Sequence, residues 1–387
     1  MSGLAGQTVL VTGATGFIGG RLVEHLVRVE GAIVRALVRN FANAPRLARF
    51  AVDMVPGDLL SPDAIDRAVT ECDVVFHCAY GNGGDEATRK NVTVRGTELL
   101  LEAARRHNVK RFVHTSTLSV YGDPSSGDLT EEAPRRYTGA AYGDSKIDAE
   151  KLALAYCEKG LSVAVVQPTI VYGPFGSTWT AKPLEQLSSG RVILVNGGSG
   201  TCNAVYVDDV VAAMLRAAVI DAAHNQAFLV SGPDSLTWSA IIERLATMVP
   251  GSGFVTMDAE QANAHFASQS VTRGVFGESM RVLRREVARR EGLLRGRLSA
   301  GVAGRMALKA AEAATILPRN VGKAKAGAAE ALIHPLPPPK IAMFASTARA
   351  RIDKAAQRLG YRPAFDFSRG MAATEAWARW ANLVTAP

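Results

Sequence analysis

Short β-branched and apolar runs alternate with segments of helical periodicity through the first 230 positions of the chain. "TVLVTG" (8–13) reads as a buried strand, followed by a helix from about Phe17 to Val29. "AIVRALV" (32–38), "DMVPGDL" (53–59), "VVFHCA" (74–79), "RFVHTST" (111–117) and "SVAVVQP" (162–168) repeat the strand pattern. "NVTVRGTELLLEAARRHN" and a segment beginning near Ala141 carry the helical one. Strands buried on both faces read as near-continuous apolar runs, and their alternation with helices marks βαβ units. The pattern predicts an α/β fold with a doubly wound parallel sheet.

Beyond Val171 the pattern loosens into Gly/Pro-rich loops, and "AVYVDDVVAAMLRAA" returns as strand then helix. A helix follows the "SGPDSLTW" turn and stops near Pro250, and residues 255–340 are mainly helical by composition up to the breaker cluster "HPLPPPK". "LGYRPAFDFSRGMAATEAWARW" is a turn and a closing amphipathic helix. A hydrophobic content of 48% with 21% charged residues over 387 positions is that of a globular protein large enough for two joined cores. Cys72, Cys78, Cys157 and Cys202 are scattered, as in a reducing compartment, and no metal site is suggested. Without a signal peptide or an apolar run of about 18 residues, the expected location is cytoplasmic.

Charge changes this picture in one place. The formal net charge is +8, yet residues 281–325 hold twelve Lys/Arg against three acids, so the rest of the chain is close to neutral. The run lacks interleaved aromatics, zinc spacing and any reading motif, so nucleic acid is not the expected partner. Leu283, Val287, Leu294, Leu298, Val302 and Met306 recur at spacings of four or seven, which gives one apolar stripe. Three readings stay open for it: solvated surface helices, a basic amphipathic helix in peripheral contact with an anionic membrane, or a clamp for an acidic substrate or partner.

"VTGATGFIGG" sets Gly13, Gly16 and Gly19 between the first strand and helix, with Thr15, Phe17 and Ile18 among them. Such glycines allow a tight turn, a close backbone approach to a pyrophosphate and helix–strand packing, while the helix N-terminus offers free N–H groups. Where the second strand ends, Arg39 stands in the position at which an acid would meet the ribose hydroxyls. A guanidinium there pairs with a 2′-phosphate, which points to NADP(H) over NAD(H). Asp58 and Leu59 of "GDL" are placed for the adenine edge.

"AYGDSK" puts Tyr142 and Lys146 four apart, on one helical face. An ammonium one turn away stabilises a phenolate and makes the tyrosine a usable acid/base for a hydroxyl or ketone. "HTSTLSVYG" places hydroxyls at the end of the fifth strand, the edge where ligands of doubly wound folds bind.

Together "TGATGFIG", "GDL", "HCA", "NVTVRGT", "TSTLSVYG", "YGDSK", "QPTIVYGP", "VYVDDV" and "LGYRPAF" resemble the extended short-chain dehydrogenase/reductase family, in its NAD-dependent epimerase/dehydratase-like branch. The resemblance runs through residues 8–235 and resumes at 341–380. It implies a Rossmann-type domain over 1–175 with part of 195–230. It also implies a smaller, mainly helical, substrate-covering part over 176–194 and 231–387, enlarged by the insert 255–340. By the same resemblance Thr117 polarises the substrate oxygen, with Ser116 as its fallback. Tyr142 transfers the proton, Lys146 supports it and the nicotinamide ribose, Cys78 and Ala79 lie against the cofactor, and Pro168 lines the nicotinamide. A homodimer through two helices per subunit, one carrying Tyr142 and Lys146, is also implied.

Three positions depart from the sugar-nucleotide members. Leu118 and Ser119 stand where dehydratases carry an Asp-Glu pair, Ile170 where epimerases carry a substrate-contacting Asn, and Cys202 and Asn203 near a diphosphate-clamping Arg. "VRALVRN" and "QPTIVYGP" are locally similar to dihydroflavonol-reductase and 3β-hydroxysteroid-dehydrogenase branches. The expected activity is NADP(H)-dependent oxidoreduction of a secondary alcohol or ketone, with a lipid- or isoprenoid-like substrate. The alternatives are a nucleotide-sugar epimerase and, in another class, a non-catalytic NADP-binding regulatory or assembly protein.

Overall fold

Strands β1 (Thr8–Thr12), β2 (Ile33–Val38), β3 (Val52–Pro56), β4 (Val74–His77), β5 (Arg111–Thr115), β6 (Val163–Pro168) and β7 (Gln226–Val230) form one parallel sheet. The computed structural model describes residues 3–122, 124–269 and 332–384. The spatial order is β7-β6-β5-β4-β1-β2-β3, so the winding reverses between β1 and β4. A crevice opens there, beyond the C-terminal strand ends, because the flanking connections leave in opposite directions.

Helices α1 (Phe17–His25), α2 (Pro62–Val69), α3 (Glu86–Arg106), α4 (Ala141–Ala155), α5 (Lys182–Ser189), α6 (Val207–Val219) and α7 (Trp238–Ala246) follow in turn. Side chains of a strand alternate between faces. Val9 and Val11 accordingly pack with Leu22 and Val23 of α1 and Met214 of α6. Leu10 faces the other way, to Ile65 of α2, Leu100 of α3 and Ala153 of α4. Both faces are dry, which explains the uninterrupted apolar strands.

A second apolar cluster joins α5, α7, Pro338–Ala345 and Phe367–Trp380 around Leu184, Trp238, Phe344 and Met371. Two family-like motifs meet at its seam with the sheet. The buried Asp209 carboxylate of "VYVDDV" accepts the backbone N–H groups of Ala364 and Phe365 at 2.7 and 3.2 Å. Tyr361 of "LGYRPAF" donates to the Ser231 carbonyl at 2.9 Å. These motifs fasten the closing segment to the sheet.

Four boundaries differ from the sequence reading. α1 ends at His25 and continues as one wider turn over Leu26–Glu30. β3 ends at Pro56, which leaves Gly57–Leu59 as a turn at the crevice. The strand Ala204–Tyr206 of "AVYV" pairs with Ile170–Tyr172 outside the main sheet, whose seventh strand is instead "QAFLV". Residues 255–257, read as the start of the mainly helical insert 255–340, belong instead to the strand Gly253–Met257 alongside Arg191–Val195. Backbone over 259–269 is helical, and the basic stretch 281–325 lies outside the described residues. Among the described residues no helix is long and apolar enough to cross a membrane.

Candidate active site

The crevice at the β1–β4 edge is shaped by backbone first. Gly13 sits at φ +70°, and a Cβ there would lie 2.7 Å from Ala79 N and from Cys78 C. Only glycine takes this left-handed, crowded position without strain. A Cβ on Gly19 would run into the Gly13 carbonyl, so α1 leaves the turn in close contact with it. Gly13, Thr15 and Gly16 line a cleft of about 160 Å³ together with Arg39, Asp58, Leu59, Cys78 and Ala79. Phe17 and Ile18 turn their side chains to the second apolar cluster instead, so only their backbone opens the helix toward the cleft.

The Arg39 guanidinium reaches the cleft mouth, 3.7 Å from the Asp58 carboxylate and mostly exposed. Asp58 also accepts the Leu60 N–H at 2.9 Å, which fixes its turn. Asn40, Asn43, Tyr80 and Asn82 complete the wall and were not singled out from sequence. Asn40, next to Arg39, and the "YGNGG" loop after β4 were the available signals. The glycine turn, the open helix end and the guanidinium at the far end fit a dinucleotide: Gly13, Thr15 and Gly16 would hold its phosphates, Arg39 and Asp58 its adenosine half.

Tyr80 links this cleft to the second part of the site. Its ring meets that of Tyr142 edge-on, with centroids 5.6 Å apart. Tyr142 stands beside the cleft against Tyr80, with its residue as a whole 46% exposed. Desolvation of its hydroxyl pushes the pKa up to about 12, and the Thr117 hydroxyl partly offsets the rise. Lys146 is buried and donates to the Thr115 carbonyl at 2.5 Å. Burial pushes its pKa down to about 8, against the opposing pull of Cys78 and Glu150. The expectation that Lys146 lowers the Tyr142 pKa is therefore not met in this arrangement. Burial dominates both groups, and the Lys146 charge is not among those acting on Tyr142.

Thr117 and Ser116 point to different work. Thr117 ends β5's extension, caps the short turn Leu118–Tyr121 by accepting the Ser119 N–H at 3.3 Å, and is the hydroxyl that bears on Tyr142. Ser116 is turned away from the cleft and donates to the Glu150 carboxylate at 2.5 Å. Its place as fallback is corrected accordingly, because that hydroxyl is already held. Glu150 also accepts from Arg135 at 2.8 and 3.0 Å and from Gln167 Nε2 at 2.9 and 3.0 Å, while Tyr121 donates to Gln167 at 2.8 Å. This buried carboxylate ties α4 to the ends of β5 and β6. It lies one turn beyond Lys146, and "YGDSKIDAE" repeats the four-residue spacing that could have flagged it. Pro168 ends β6, buried, beside Gln167.

Beyond Pro168 the surroundings turn apolar. Ile170, Trp179, Cys202, Trp238, Ile242 and Phe344 wall a cavity of about 130 Å³, with Lys182, Gln186, His334 and Lys340 at its edges. Asn203, the neighbour of Cys202, is spent on backbone, donating to the Ala348 carbonyl at 3.0 Å and accepting the Ala350 N–H at 2.9 Å. The cavity lies in the second cluster, entered by the chain two residues after β6.

A family model described as "NAD dependent epimerase/dehydratase family" matches residues 9–230, the whole glycine turn, Tyr142–Lys146 helix and sheet. The chain belongs to this family. Its members are NAD(P)-dependent reductases, dehydratases and epimerases of the extended short-chain dehydrogenase/reductase type, and this chain is an enzyme of that kind with a dinucleotide cofactor. A 2-alkyl-3-oxoalkanoate reductase of Stenotrophomonas maltophilia is 30% identical over 251 residues, covering 62% of this chain and 75% of that one. A dTDP-glucose 4,6-dehydratase of Streptomyces antibioticus is 35% identical over 221 residues, covering 52% and 66%. Other curated relatives are spanned to as little as 51% of their length. The structure of an epimerase from Methanothermobacter thermautotrophicus superposes with a TM-score of 0.69 at 18% identity, covering 99% of this chain and 95% of that one, and shares the fold.

Proposed function

We propose that this family member is an NADP(H)-dependent oxidoreductase of a secondary alcohol or ketone carried on a lipid- or isoprenoid-like body. The observation that carries the reading is the apolar cavity that the chain enters two residues after Pro168: Ile170, Cys202, Trp179, Trp238 and Phe344 line it, and among the described residues no arginine does. The sugar and base of a nucleotide would meet such walls with most of their polar groups unpaired, which is costly, whereas an apolar body gains about 25 cal/mol per Å² buried. Leu118 and Ser119, in place of an acid/base pair, leave water elimination without its groups.

In this reading a bound nicotinamide dinucleotide supplies or accepts the hydride. The chain's own residues do the rest. Thr117 hydrogen-bonds the substrate oxygen and holds it at Tyr142 Oη, which gives a proton to the forming alkoxide. Lys146, kept in place by the Thr115 carbonyl one helical turn from Tyr142, would hydrogen-bond the nicotinamide ribose. Arg39 selects the 2′-phosphate. The Rossmann-type part spans 1–175 with part of 195–230, and residues 176–194 and 231–387 cover the substrate. The α3–α4 surface serves a homodimer.

The test is incubation of the full chain with NADPH and a panel of apolar ketones and nucleotide sugars. Stoichiometric NADPH oxidation with an apolar ketone is expected. Interconversion of a nucleotide sugar without net cofactor turnover would overturn the reading in favour of an epimerase.

A further inference from the structure

Two lysines line the apolar cavity, and among the described residues no carboxylate lines it with them. Lys182 begins α5 and Lys340 lies in Pro338–Ala345, and both line the same cavity. Neither is in an ion pair among the described residues. Lys340 Nζ lies 4.8 Å from the centroid of the Trp179 ring, which is itself part of the wall. Burial lowers the Lys340 pKa, and the like charge of Lys182 lowers it further, with no acid among the groups acting on it. Lys182 is exposed and Lys340 half-buried, so an anion entering the cavity would meet two cations and no competing acid among the described residues.

The wall beside them is aromatic. Trp238 is 2% exposed, and its ring is fixed by stacking on Phe344 at 4.0 Å and by Trp179 at 5.5 Å. These rings give the cavity a rigid apolar surface for a hydrocarbon.

We propose that this cavity binds an amphipathic carboxylic acid, its hydrocarbon against the wall of Trp179, Trp238 and Phe344 and its carboxylate between Lys182 and Lys340. The inference rests on the oxidoreductase reading above and narrows its substrate class to acids carrying an apolar chain. A nucleoside diphosphate could use the same two lysines. It would have to place its sugar and base hydroxyl and amide groups on aromatic and aliphatic walls, so the carboxylate is favoured.

The test uses decanoate, decanol and UDP as probes of the full chain, by calorimetry and quenching of tryptophan emission. Decanoate is expected to bind about tenfold or more tightly than decanol, the margin of a charge-assisted contact. Replacing both lysines (K182M with K340M) should erase that margin and leave decanol binding unchanged, and Lys340→Arg should keep it. Decanoate binding no tighter than decanol, a margin that survives the double replacement, or UDP binding more tightly than decanoate would each overturn the proposal. Failure of decanoate to bind at all would do the same. Binding is read without turnover, so any of these results leaves the NADPH oxidation test of the oxidoreductase reading standing on its own.

Discussion

Glycine backbone shapes the cleft at the β1–β4 edge, whereas aromatic and aliphatic side chains shape the cavity beyond β6. In the cleft Gly13 takes a conformation and a proximity that no other residue tolerates, so the local sequence is nearly dictated by the geometry. The cavity gathers residues from 170 to 344 that share no local pattern, and any apolar side chain of similar size would serve. The family model covers the first kind of construction, whereas part of the second lies beyond its range. Tyr80, Tyr142 and Thr117 stand together beside the cleft, and the buried Glu150 braces them from behind.

The sharpest way to break this division is at its hinge. Tyr142→Phe removes the proton donor without disturbing the Gly13 turn or the cavity wall. Turnover should fall by about 10²–10⁴-fold while NADPH affinity stays unchanged. Turnover kinetics paired with cofactor titration decide it, and unimpaired turnover would move the chemistry elsewhere. Glu150→Ala tests the scaffold behind it, because it strands Arg135 and frees Ser116, Gln167 and the end of α4. Removing one partner of such a pair should cost about 3 kcal/mol in denaturant unfolding. Glu150→Gln should lose less, since it retains an acceptor for Ser116.

Acid should find the sheet before it finds the cavity. His77 is buried between Thr12 and Thr97 at 2.7 and 2.8 Å, and burial holds its pKa down to about 3. His114, also buried, has no hydrogen-bond partner for either ring nitrogen among the described residues, and burial holds it well below its usual value. Unfolded, both titrate near 6.5, so below that pH the unfolded chain binds protons the folded one refuses. Stability is then full above pH 6.5 and falls as pH drops toward the folded values, by about 2 kcal/mol at pH 5 for His77, with His114 acting in the same direction. His114→Leu should make the decline shallower in thermal scans from pH 7 to 5.

Legibility from sequence follows the same boundary. Strand-forming runs, the glycine turn and the Tyr142–Lys146 spacing are local and periodic, and each lies where the pattern puts it within a few residues. β7 escaped because "QAFLV" is five residues long and arrives after a helix already paired in reading with "AVYV". Ser116 and Thr117 are adjacent and chemically alike, and only the direction of each side chain, toward Glu150 or toward Tyr142, separates them. Cys202 and Ile170 were legible as departures from a pattern. Their joining of Trp238 and Phe344 around one cavity depends on contacts far apart in the chain.

The smallest effect probes cofactor choice at the cleft's outer end. Arg39 is mostly exposed, and its 3.7 Å pairing with Asp58 is too long and too wet to carry much stability. Arg39→Ser should therefore leave the unfolding midpoint where it is. If the guanidinium receives a 2′-phosphate, NADPH should bind about tenfold more weakly while NADH binding holds constant. Equal losses for both cofactors would assign Arg39 to the shape of the cleft. No loss for either would leave the choice to its neighbours Asn40 and Asn43, which line the same wall.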